Sequence, residues 1–375
     1  MREPQAEIVP SFPSIERQST TPVTSMSRRC MRSGDVGLDN LGNTCFMNST
    51  LQCVMRVSTL LDLLMSGDIL QDINRSKKTR GAITDSLLRT AQKVFSMDGG
   101  SVSPHEFRQA VTSWARSFSN YHQHDAQEFL RFLLDGLHEE LNRVQSPPPY
   151  QELKDIVGET ARAQAQRWSR YHEERNSSVI TDIFGGMLQS DRTCRVCGTV
   201  SRSFDPFLDL SVPIKKTGSR CTLADCFALF TATETLAGSE RAHCSQCKKA
   251  TDSTIRLCVY KLPQVLVVHL KRFSGSSEGF RSKITDDVHF AETFDMSPFV
   301  SRDALTAQAP QYTLTGFINH TGYSGGGHYT AIVRSPTTKE WCDYNDSHVS
   351  PNPRISYSQA YVLFYENAMR THSSL

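Results

Sequence analysis

The fold of this chain is best indicated by residues 37–54, GLDNLGNTCFMNSTLQCV. A glycine-punctuated turn leads to Cys45, and Phe46, Thr50, Leu51 and Val54 follow it at helical spacing. The pattern predicts a helix that begins at or beside Cys45. Unpaired backbone N–H groups and the helix macrodipole at that end favour a thiolate, which is the reactive form of cysteine. A small buried cysteine that merely packs a helix start explains the local pattern equally well.

Size and composition restrict the classes of protein to consider. The chain has 375 residues, enough for one large or two ordinary domains. Lys and Arg (41) nearly balance Asp and Glu (39), so we expect no nucleic-acid partner. The longest apolar runs, such as Val265 to Leu270, are strand-sized, so we expect no membrane partner. Eleven cysteines without a signal peptide favour the reducing cytoplasm or nucleus, and we expect a monomer.

The chain divides into a flexible start, a helical part and a strand-rich part. Residues 1–34 are rich in Ser, Thr and Pro and are predicted to form a flexible tail, and residues 368–375 a C-terminal tail. Between them, helical periodicity extends to about Val144, most clearly in DAQEFLRFLLDGLHEEL, with Glu139 and Glu140 expected in solvent. After the break at residues 146–149, a surface helix is predicted over Gln151 to Arg175.

From Ile180 onward the pattern changes to short β-branched or aromatic runs between turn residues. These runs are FDPFLDLSVPI, VLVVHLKRF, YTLTGFINH, HYTAIVR, EWCDYND and AYVLFYE. Helices followed by strands predict an α+β fold rather than a βαβ repeat.

Two C-x-x-C pairs indicate a metal site. Cys194 with Cys197, and Cys244 with Cys247, are each spaced to place two thiolates on one tetrahedral ion. Two pairs complete a closed four-thiolate site, so we predict one structural Zn²⁺ ion. Such a site leaves no open position for chemistry. The remaining cysteines near it are expected to be buried apolar residues, namely Cys221, Cys226, Cys258 and Cys342.

A cysteine nucleophile needs a base and a group that orients the base. The best base is His328, which follows three glycines at a predicted strand start. A return strand in the same sheet would bring Asn345 and Asp346 beside it, where either could accept from the imidazole N–H. The alternative, in which Asn345 and Asp346 only form a turn, stays open at this point. His269, within an apolar strand, is expected to be a core histidine.

Several motifs in this order resemble those of the ubiquitin-specific proteases, which are papain-like thiol peptidases. The matching stretches are GLDNLGNTCFMNSTLQC, QHDAQEFLRFLL, FDPFLDLSVPI, VLVVHLKRF, GGHYTAIVR, EWCDYNDSHVS and the paired C-x-x-C knuckles. The resemblance extends from Gly37 to about Tyr365 and is greatest to the type 2 and type 21 members.

The resemblance implies a catalytic domain over 35–367, shaped like a hand. The helical thumb would cover about 35–179, the zinc-ribbon β fingers about 180–257 and the β-sheet palm about 258–367. The implied activity is hydrolysis of the peptide or isopeptide bond after the C-terminal glycine of ubiquitin. Ubiquitin and ubiquitylated proteins would be the partners.

The resemblance also implies residue roles at the matching positions. Cys45 would be the nucleophile, His328 the general base and acid, and Asn345 the third member of the triad, with Asp346 assisting. Asn40 would donate to the oxyanion of the tetrahedral intermediate.

Four further positions would bind the substrate. Asp125 would hold the extended tail of the substrate, Gln127 and Glu128 are weaker candidates, and Tyr329 would line a narrow channel that passes only glycines.

Other interpretations stay open. A ubiquitin-binding scaffold without catalysis and a protease for a ubiquitin-like modifier share the same motifs. The C-x-x-C pairs alone would also fit a zinc-ribbon nucleic-acid binder, which the near-neutral charge disfavours. Pro147 to Tyr150 reads P-P-x-Y, a ligand pattern for WW domains, although a helix stop followed by a linker explains it too.

Overall fold

The structure is a computed structural model that describes residues 31–156, 158–215, 220–275, 281–304, 310–323 and 326–367. The α-helices in these ranges are α1 (Cys45–Val54), α2 (Ser58–Ser66), α3 (Ala82–Phe95), α4 (His105–Trp114), α5 (Ala126–Glu140), α6 (Ala161–Glu173), α7 (Val179–Phe184) and α8 (Leu223–Phe230). Short 3-10 helices cover Asp68–Asp72, Arg116–Phe118, Gly238–Glu240 and Ser297–Phe299. No helix in the described ranges is both long and apolar enough to cross a membrane.

The strands of the same ranges lie mainly in the second half of the chain. They are β1 (Gly37–Leu38), β2 (Ser101–Val102), β3 (Gly186–Cys194), β4 (Val200–Phe207), β5 (Leu210–Val212), β6 (Cys221–Thr222), β7 (Glu234–Leu236), β8 (Ala242–Cys244), β9 (Lys249–Thr251), β10 (Ser253–Lys261), β11 (Val265–Leu270), β12 (Phe273–Gly275), β13 (Arg281–Lys283), β14 (Val288–His289), β15 (Thr293–Asp295), β16 (Gln311–Tyr323), β17 (Gly326–Arg334), β18 (Trp341–Asn345), β19 (His348–Pro351) and β20 (Ala360–Asn367).

One large sheet is formed by strands from the second half of the chain. Its strand order is β19-β18-β17-β16-β20-β11-β5, with β15 paired to β16, and only the β11–β5 pair is parallel. Both faces are buried. Along β11, Val265 and Val267 face the core that contains the N-terminal helices, whereas Leu266 and Val268 face the core that contains α8. An uninterrupted apolar run is what burial on both faces requires.

Helix α1 lies in the centre of the molecule. All ten of its residues are buried, and it packs against β17, β16 and α5. Its polar side chains therefore bond within the protein, although Asn48 Oδ1 has no partner. For example, the Thr50 hydroxyl donates to the carbonyl of Phe46 at 2.8 Å. The helix that begins at the cysteine is thus enclosed by both halves of the chain.

A second, antiparallel sheet in the order β4-β3-β10-β7 extends from the large one. It has a small core of its own, in which Phe204 and Tyr260 pack near Trp168 of α6. The hairpin β8–β9 adjoins its end. Cys194, the last residue of β3, pairs with Ser253, the first of β10, so the first C-x-x-C turn lies at the end of this sheet.

Three local expectations from the sequence differ from the structure. Glu140, expected in solvent, is fully buried because its carboxylate accepts from the backbone N–H groups of Ile83 (3.0 Å) and Thr84 (2.8 Å) at the start of α3. The surface helix forms only over Ala161–Glu173, where Thr160 caps it. The strand-rich part begins at Gly186 rather than at 180, because the Ser178 capping box starts the short helix α7.

The predicted N-terminal tail ends earlier than residue 34. Arg32 donates its backbone N–H to the carbonyl of Phe95 at 2.9 Å, and Gly34 donates to Met97 at 3.3 Å. The Arg32 side chain pairs with Asp98 at 3.0 Å. Residues 31–34 are therefore part of the folded unit. The rest of the predicted tail, residues 1–30, and the predicted C-terminal tail, 368–375, lie outside the described residues.

Candidate active site

Cys45 is the first residue of α1, as the sequence predicts, and only 3 % of it is exposed. The turn before it is held by the side-chain carbonyl of Asn40, which accepts from the backbone N–H groups of Gly42 (3.0 Å) and Thr44 (3.1 Å). The helix start has no side-chain cap. Its unpaired N–H groups and dipole thus act on the Cys45 thiol and on any anion that forms beside it.

His328 lies near the start of β17 with its imidazole between Cys45 and Asn345. Its Nε2 donates to Asn345 Oδ1 at 2.7 Å, which leaves Nδ1 for the thiol. The hydrogen bond to Cys45 is the main reason that the pKa of His328 is raised to about 9. Burial opposes the shift, whereas the bond to Asn345 and the charges of Cys45 and Asp346 support it. The arrangement therefore favours a protonated imidazole beside the Cys45 sulfur at neutral pH.

Asn345 and Asp346 are adjacent but have different partners. Asp346 turns away from the histidine at a backbone φ of +50°. Its carboxylate accepts from the side-chain amides of Asn40 and Asn48, each at 2.8 Å. The sequence suggested that either residue could orient His328. In the structure Asn345 contacts the imidazole, and Asp346 instead holds the amide of Asn40.

The turn at Asp346 contacts the chain before α1 at backbone distance. Leu38 donates its N–H to the carbonyl of Asp346 at 2.8 Å. A Cβ on Gly37 would lie 2.4 Å from the backbone of Ser347. A glycine is therefore required at position 37 for the two segments to meet.

Asp125 is the N-cap of α5. Its Oδ1 accepts from the N–H groups of Gln127 (2.8 Å) and Glu128 (3.1 Å), and its Oδ2 accepts from the hydroxyl of Tyr361 at 2.5 Å. The Gln127 side chain donates to Asp209 at 2.8 Å, and Glu128 is exposed. Asp125, the main predicted substrate-binding carboxylate, is thus held by the start of α5 through one oxygen and by Tyr361 through the other.

Tyr329, predicted to line the channel, is only 6 % exposed. Its ring contacts the rings of His320 (4.6 Å between centroids) and Tyr361 (6.1 Å). Close by, the backbone N–H of Gly327 donates to Gln123 Oε1 at 2.7 Å, and a Cβ on Gly327 would lie 2.2 Å from His320 Nε2. The glycine before the catalytic histidine is therefore required by packing within the protein.

The four predicted metal ligands come together. The sulfur atoms of Cys194, Cys197, Cys244 and Cys247 all lie within 4.8 Å of one another. Both knuckles close in the same way, since the residue after each pair donates its N–H back to the carbonyl of the first cysteine at 2.9 Å. Four convergent thiolates at these distances can hold one metal ion.

The six other cysteines within the described ranges lie outside this cluster and are buried or half-buried. His269, expected in the core, is half-buried on β11: burial lowers its pKa to about 4, and Ser211 Oγ lies 2.8 Å from its Nδ1. Sequence reasoning missed Asn48, Gln123 and Tyr361. The first two lie inside the quoted motifs, where a closer look at their polar side chains could have found them.

A cysteine at a helix start, an imidazole against it and an amide behind the imidazole define a thiol hydrolase of the papain-like class. Comparisons with known proteins identify the family. The family model for ubiquitin carboxyl-terminal hydrolase matches residues 36–365. The chain belongs to the ubiquitin carboxyl-terminal hydrolase family, which confirms the family prediction made from the sequence.

Curated relatives include ubiquitin carboxyl-terminal hydrolase 2 of Rattus norvegicus, 41 % identical over 94 % of this chain and 57 % of the relative. The Gallus gallus protein of the same name is 42 % identical over 89 % of this chain and 94 % of the relative. Ubiquitin carboxyl-terminal hydrolase 21 of Homo sapiens is 36 % identical over 95 % of this chain and 66 % of the relative. The predicted likeness to types 2 and 21 is confirmed. The chain spans little more than half of the rat relative.

Solved structures confirm the fold class. A chain of the SAGA DUB module bound to monoubiquitin is 26 % identical, with a TM-score of 0.70 over 93 % of this chain and 72 % of that chain. A chain of the same module bound to ubiquitin aldehyde is 25 % identical, also with a TM-score of 0.70, over 92 % of this chain and 71 % of that chain. The α+β, papain-like fold predicted from the sequence is thus correct.

Proposed function

We propose that this domain is a deubiquitinating thiol hydrolase. The observation that carries the proposal is the position of His328, hydrogen-bonded to Cys45 on one side and to Asn345 on the other. The Cys45 thiolate attacks the carbonyl carbon of ubiquitin's last glycine, and the His328 imidazolium protonates the leaving amine. Water then attacks the acyl-enzyme while His328 accepts its proton; the bond between the Cys45 sulfur and the acyl carbon breaks, which releases ubiquitin and restores the thiolate and the imidazolium.

Asn40 supports the tetrahedral intermediate in this mechanism. A side-chain amide has two N–H groups, and one of those on Asn40 donates to Asp346. The other is available to the oxyanion, together with the backbone N–H at the start of α1. Groups of this kind each contribute about 3–4 kcal/mol to barrier lowering.

Ubiquitin as the substrate is supported by the relatives. They are named ubiquitin carboxyl-terminal hydrolases, and the similar SAGA modules were solved with monoubiquitin and with ubiquitin aldehyde. Because the chain spans 57 % of the rat relative, the activity proposed here is that of this domain.

The test is incubation with ubiquitin that carries a thiol-reactive group at its C-terminus. We expect a covalent adduct that is absent in Cys45→Ala. Absence of the adduct from the wild-type chain, or its persistence in Cys45→Ala, would contradict the mechanism. Measured binding to ubiquitin without turnover would instead favour the scaffold alternative. Reaction with a ubiquitin-like modifier in preference to ubiquitin would change the substrate class.

We also propose that the four-cysteine cluster holds one structural Zn²⁺ ion. The Sγ atoms of Cys197 and Cys244 are 3.6 Å apart, and those of Cys194 and Cys247 are 3.9 Å apart. A tetrahedral ion with Zn–S bonds of about 2.3 Å requires S–S edges of about 3.8 Å, so the donor set fits zinc. When bound, the ion would fix the end of the β3–β10 sheet.

The P-P-x-Y segment supports a further partner, a WW-domain protein. Pro147 to Pro149 are exposed and have neither helical nor strand structure, and Tyr150 is 78 % exposed. Such a segment can enter a WW groove without unfolding the domain. We expect micromolar binding to a WW domain by calorimetry that is lost in Tyr150→Ala, whereas equal affinity for both chains would contradict it.

We further propose that the chain acts as a monomer in the cytoplasm or nucleus. A catalytic thiol and a thiolate metal site both require reduced cysteine, which these compartments maintain. Light scattering and localisation of a tagged chain test the two parts of this proposal.

A further inference from the structure

Strand β20 contains an irregularity at Tyr361. Along the pairing with β16, Val362 is opposite Ile318 and Ala360 is opposite Asn319, so Tyr361 has no partner on β16. Tyr361 is thus an extra residue on one strand, which is the arrangement of a β-bulge. Bulges commonly redirect a side chain beside an active site.

The bulge changes the side of the sheet that Tyr361 faces. Strand residues normally alternate between faces. Here Tyr361 and Val362 are consecutive, yet both belong to the core that contains the N-terminal helices. Their neighbours Ala360 and Leu363 belong to the opposite core. With regular alternation from Val362, Tyr361 would face the same core as Leu363, on the side of the sheet away from α5.

The redirected hydroxyl meets the cap of α5. Tyr361 donates to Asp125 Oδ2 at 2.5 Å, while Asp125 Oδ1 accepts from the N–H groups of the helix start. Burial is the largest cause of the raised pKa of Tyr361, so its hydroxyl remains a hydrogen-bond donor. Each carboxylate oxygen has two lone pairs, so Oδ2 can accept one more hydrogen bond while Tyr361 holds it.

The tyrosine cannot easily leave this position. It is 2 % exposed, and the rings of His269 (4.8 Å), Phe273 (5.6 Å) and Tyr329 (6.1 Å) surround it. A ring that is packed on several sides keeps one rotamer. The orientation of the Asp125 carboxylate is therefore determined by the sheet as well as by its own helix.

We propose that Tyr361 is a positioning residue that fixes the Asp125 carboxylate for the substrate's extended tail. The proposal rests on the proposed function, with Asp125 in the tail-holding role that the family resemblance implies. Tyr361 does not touch the reacting atoms. Its loss therefore weakens substrate binding and leaves the chemical step intact.

The experiment compares Tyr361→Phe with Tyr365→Phe. Tyr365 lies on the same strand, is fully buried and donates its hydroxyl to the carbonyl of Ala291 at 2.8 Å, but it faces the opposite core. Each variant loses one buried hydroxyl. With a fluorogenic ubiquitin amide, we expect KM to rise about 3- to 10-fold in Tyr361→Phe, with kcat within about 2-fold, because one hydrogen bond to a charged group is lost. Tyr365→Phe should keep both constants.

A double-mutant cycle with Asp125→Asn separates positioning from general loosening. Asparagine retains the helix cap, so the helix start remains formed. We expect Tyr361→Phe to raise KM no further in the Asp125→Asn background. When Tyr361→Phe is added to the inactive Cys45→Ala chain, the affinity for ubiquitin should fall by the same factor as KM rises in the active enzyme.

Three results would overturn the proposal: an unchanged KM in Tyr361→Phe, additive effects in the cycle, or an equal rise in KM in Tyr365→Phe. A wild-type chain that neither binds nor cleaves ubiquitin would instead contradict the proposed function and would remove this inference with it. The two failures are thus distinguishable.

Discussion

The side-chain amide of Asn40 donates to the carboxylate of Asp346 at 2.8 Å, across 306 positions of the chain. The bond joins the loop before the nucleophile to the turn after the histidine's partner. Asp346 also holds Asn48 in α1, so one carboxylate connects the helix, the loop and the sheet. The group that orients the base and the group that orients the oxyanion donor are therefore neighbouring residues with separate tasks.

The first prediction separates these two tasks. In Asp346→Ala, the amide of Asn40 loses its fixed orientation, so we expect kcat to fall about 10- to 100-fold, at the lower end of the loss seen when an oxyanion donor is removed. Because the bond between His328 and Asn345 remains, alkylation of Cys45 by iodoacetamide should stay close to the wild-type rate at neutral pH. Loss of alkylation together with loss of kcat would show that Asp346 acts on the base instead.

The second prediction concerns the pH dependence of kcat/KM. Acylation needs the proton of His328, whose pKa is raised to about 9. Activity should therefore persist through pH 8 and decline with a midpoint of about 9 as the imidazolium loses its proton. In Asn345→Ala the midpoint should move towards 6.5, the ordinary value for histidine.

Asn345→Asp is the conservative comparison for this profile. A carboxylate still accepts from Nε2 and adds a negative charge, so its alkaline midpoint should equal or exceed that of the wild type. An identical midpoint in the alanine variant and the wild type would refute the assigned contact.

The third prediction tests the metal site. We expect about one zinc ion per chain by elemental analysis, and a large fall in thermal midpoint when a strong chelator removes it, because binding energy at a structural site contributes to folding. Cys194→Ser should lose the ion. Cys258→Ser, in β10 of the same sheet but outside the cluster, should retain it.

The fourth prediction concerns the buried carboxylate at the end of α5. Glu140→Ala leaves two backbone N–H groups and the Thr84 hydroxyl without their acceptor, so the free energy of unfolding should fall by about 2–4 kcal/mol. Its neighbour Glu139 is a matched control. Glu139 pairs with Lys77 at the surface, so Glu139→Ala should cost less than about 1 kcal/mol in urea unfolding. Equal losses in both variants would contradict the capping role.

Sequence reasoning reached the groups whose chemistry depends on residue type and local spacing. Cys45 at a helix start and the paired C-x-x-C cysteines could be predicted from a few neighbouring letters. His328 could be chosen as the best base from its glycine context, but its encounter with Cys45 was supported by the family resemblance, because 283 positions separate the two and no local rule brings them together.

The missed features depend on tertiary contacts. Glu140 follows the surface side of its helix pattern, yet a helix start from elsewhere in the chain covers it. Tyr361 lies in a continuous apolar strand run, and the bulge that redirects it leaves no mark in AYVLFYE. Asp346 was placed near His328, but its bond to Asn40 joins residues 306 positions apart, and no local pattern gives such a contact.

The complete enclosure of α1 has a consequence for how the site adapts to substrates. An element with no exposed residue cannot shift without opening the core that contains the N-terminal helices, so Cys45 is the stationary member of the pair. His328 lies near the start of a hairpin strand, and the backbone N–H of the glycine before it donates to Gln123, an exposed side chain. We therefore expect the segment around His328, rather than α1, to move between the free and substrate-bound forms. Substitutions that alter turnover without unfolding the chain should concentrate in that segment.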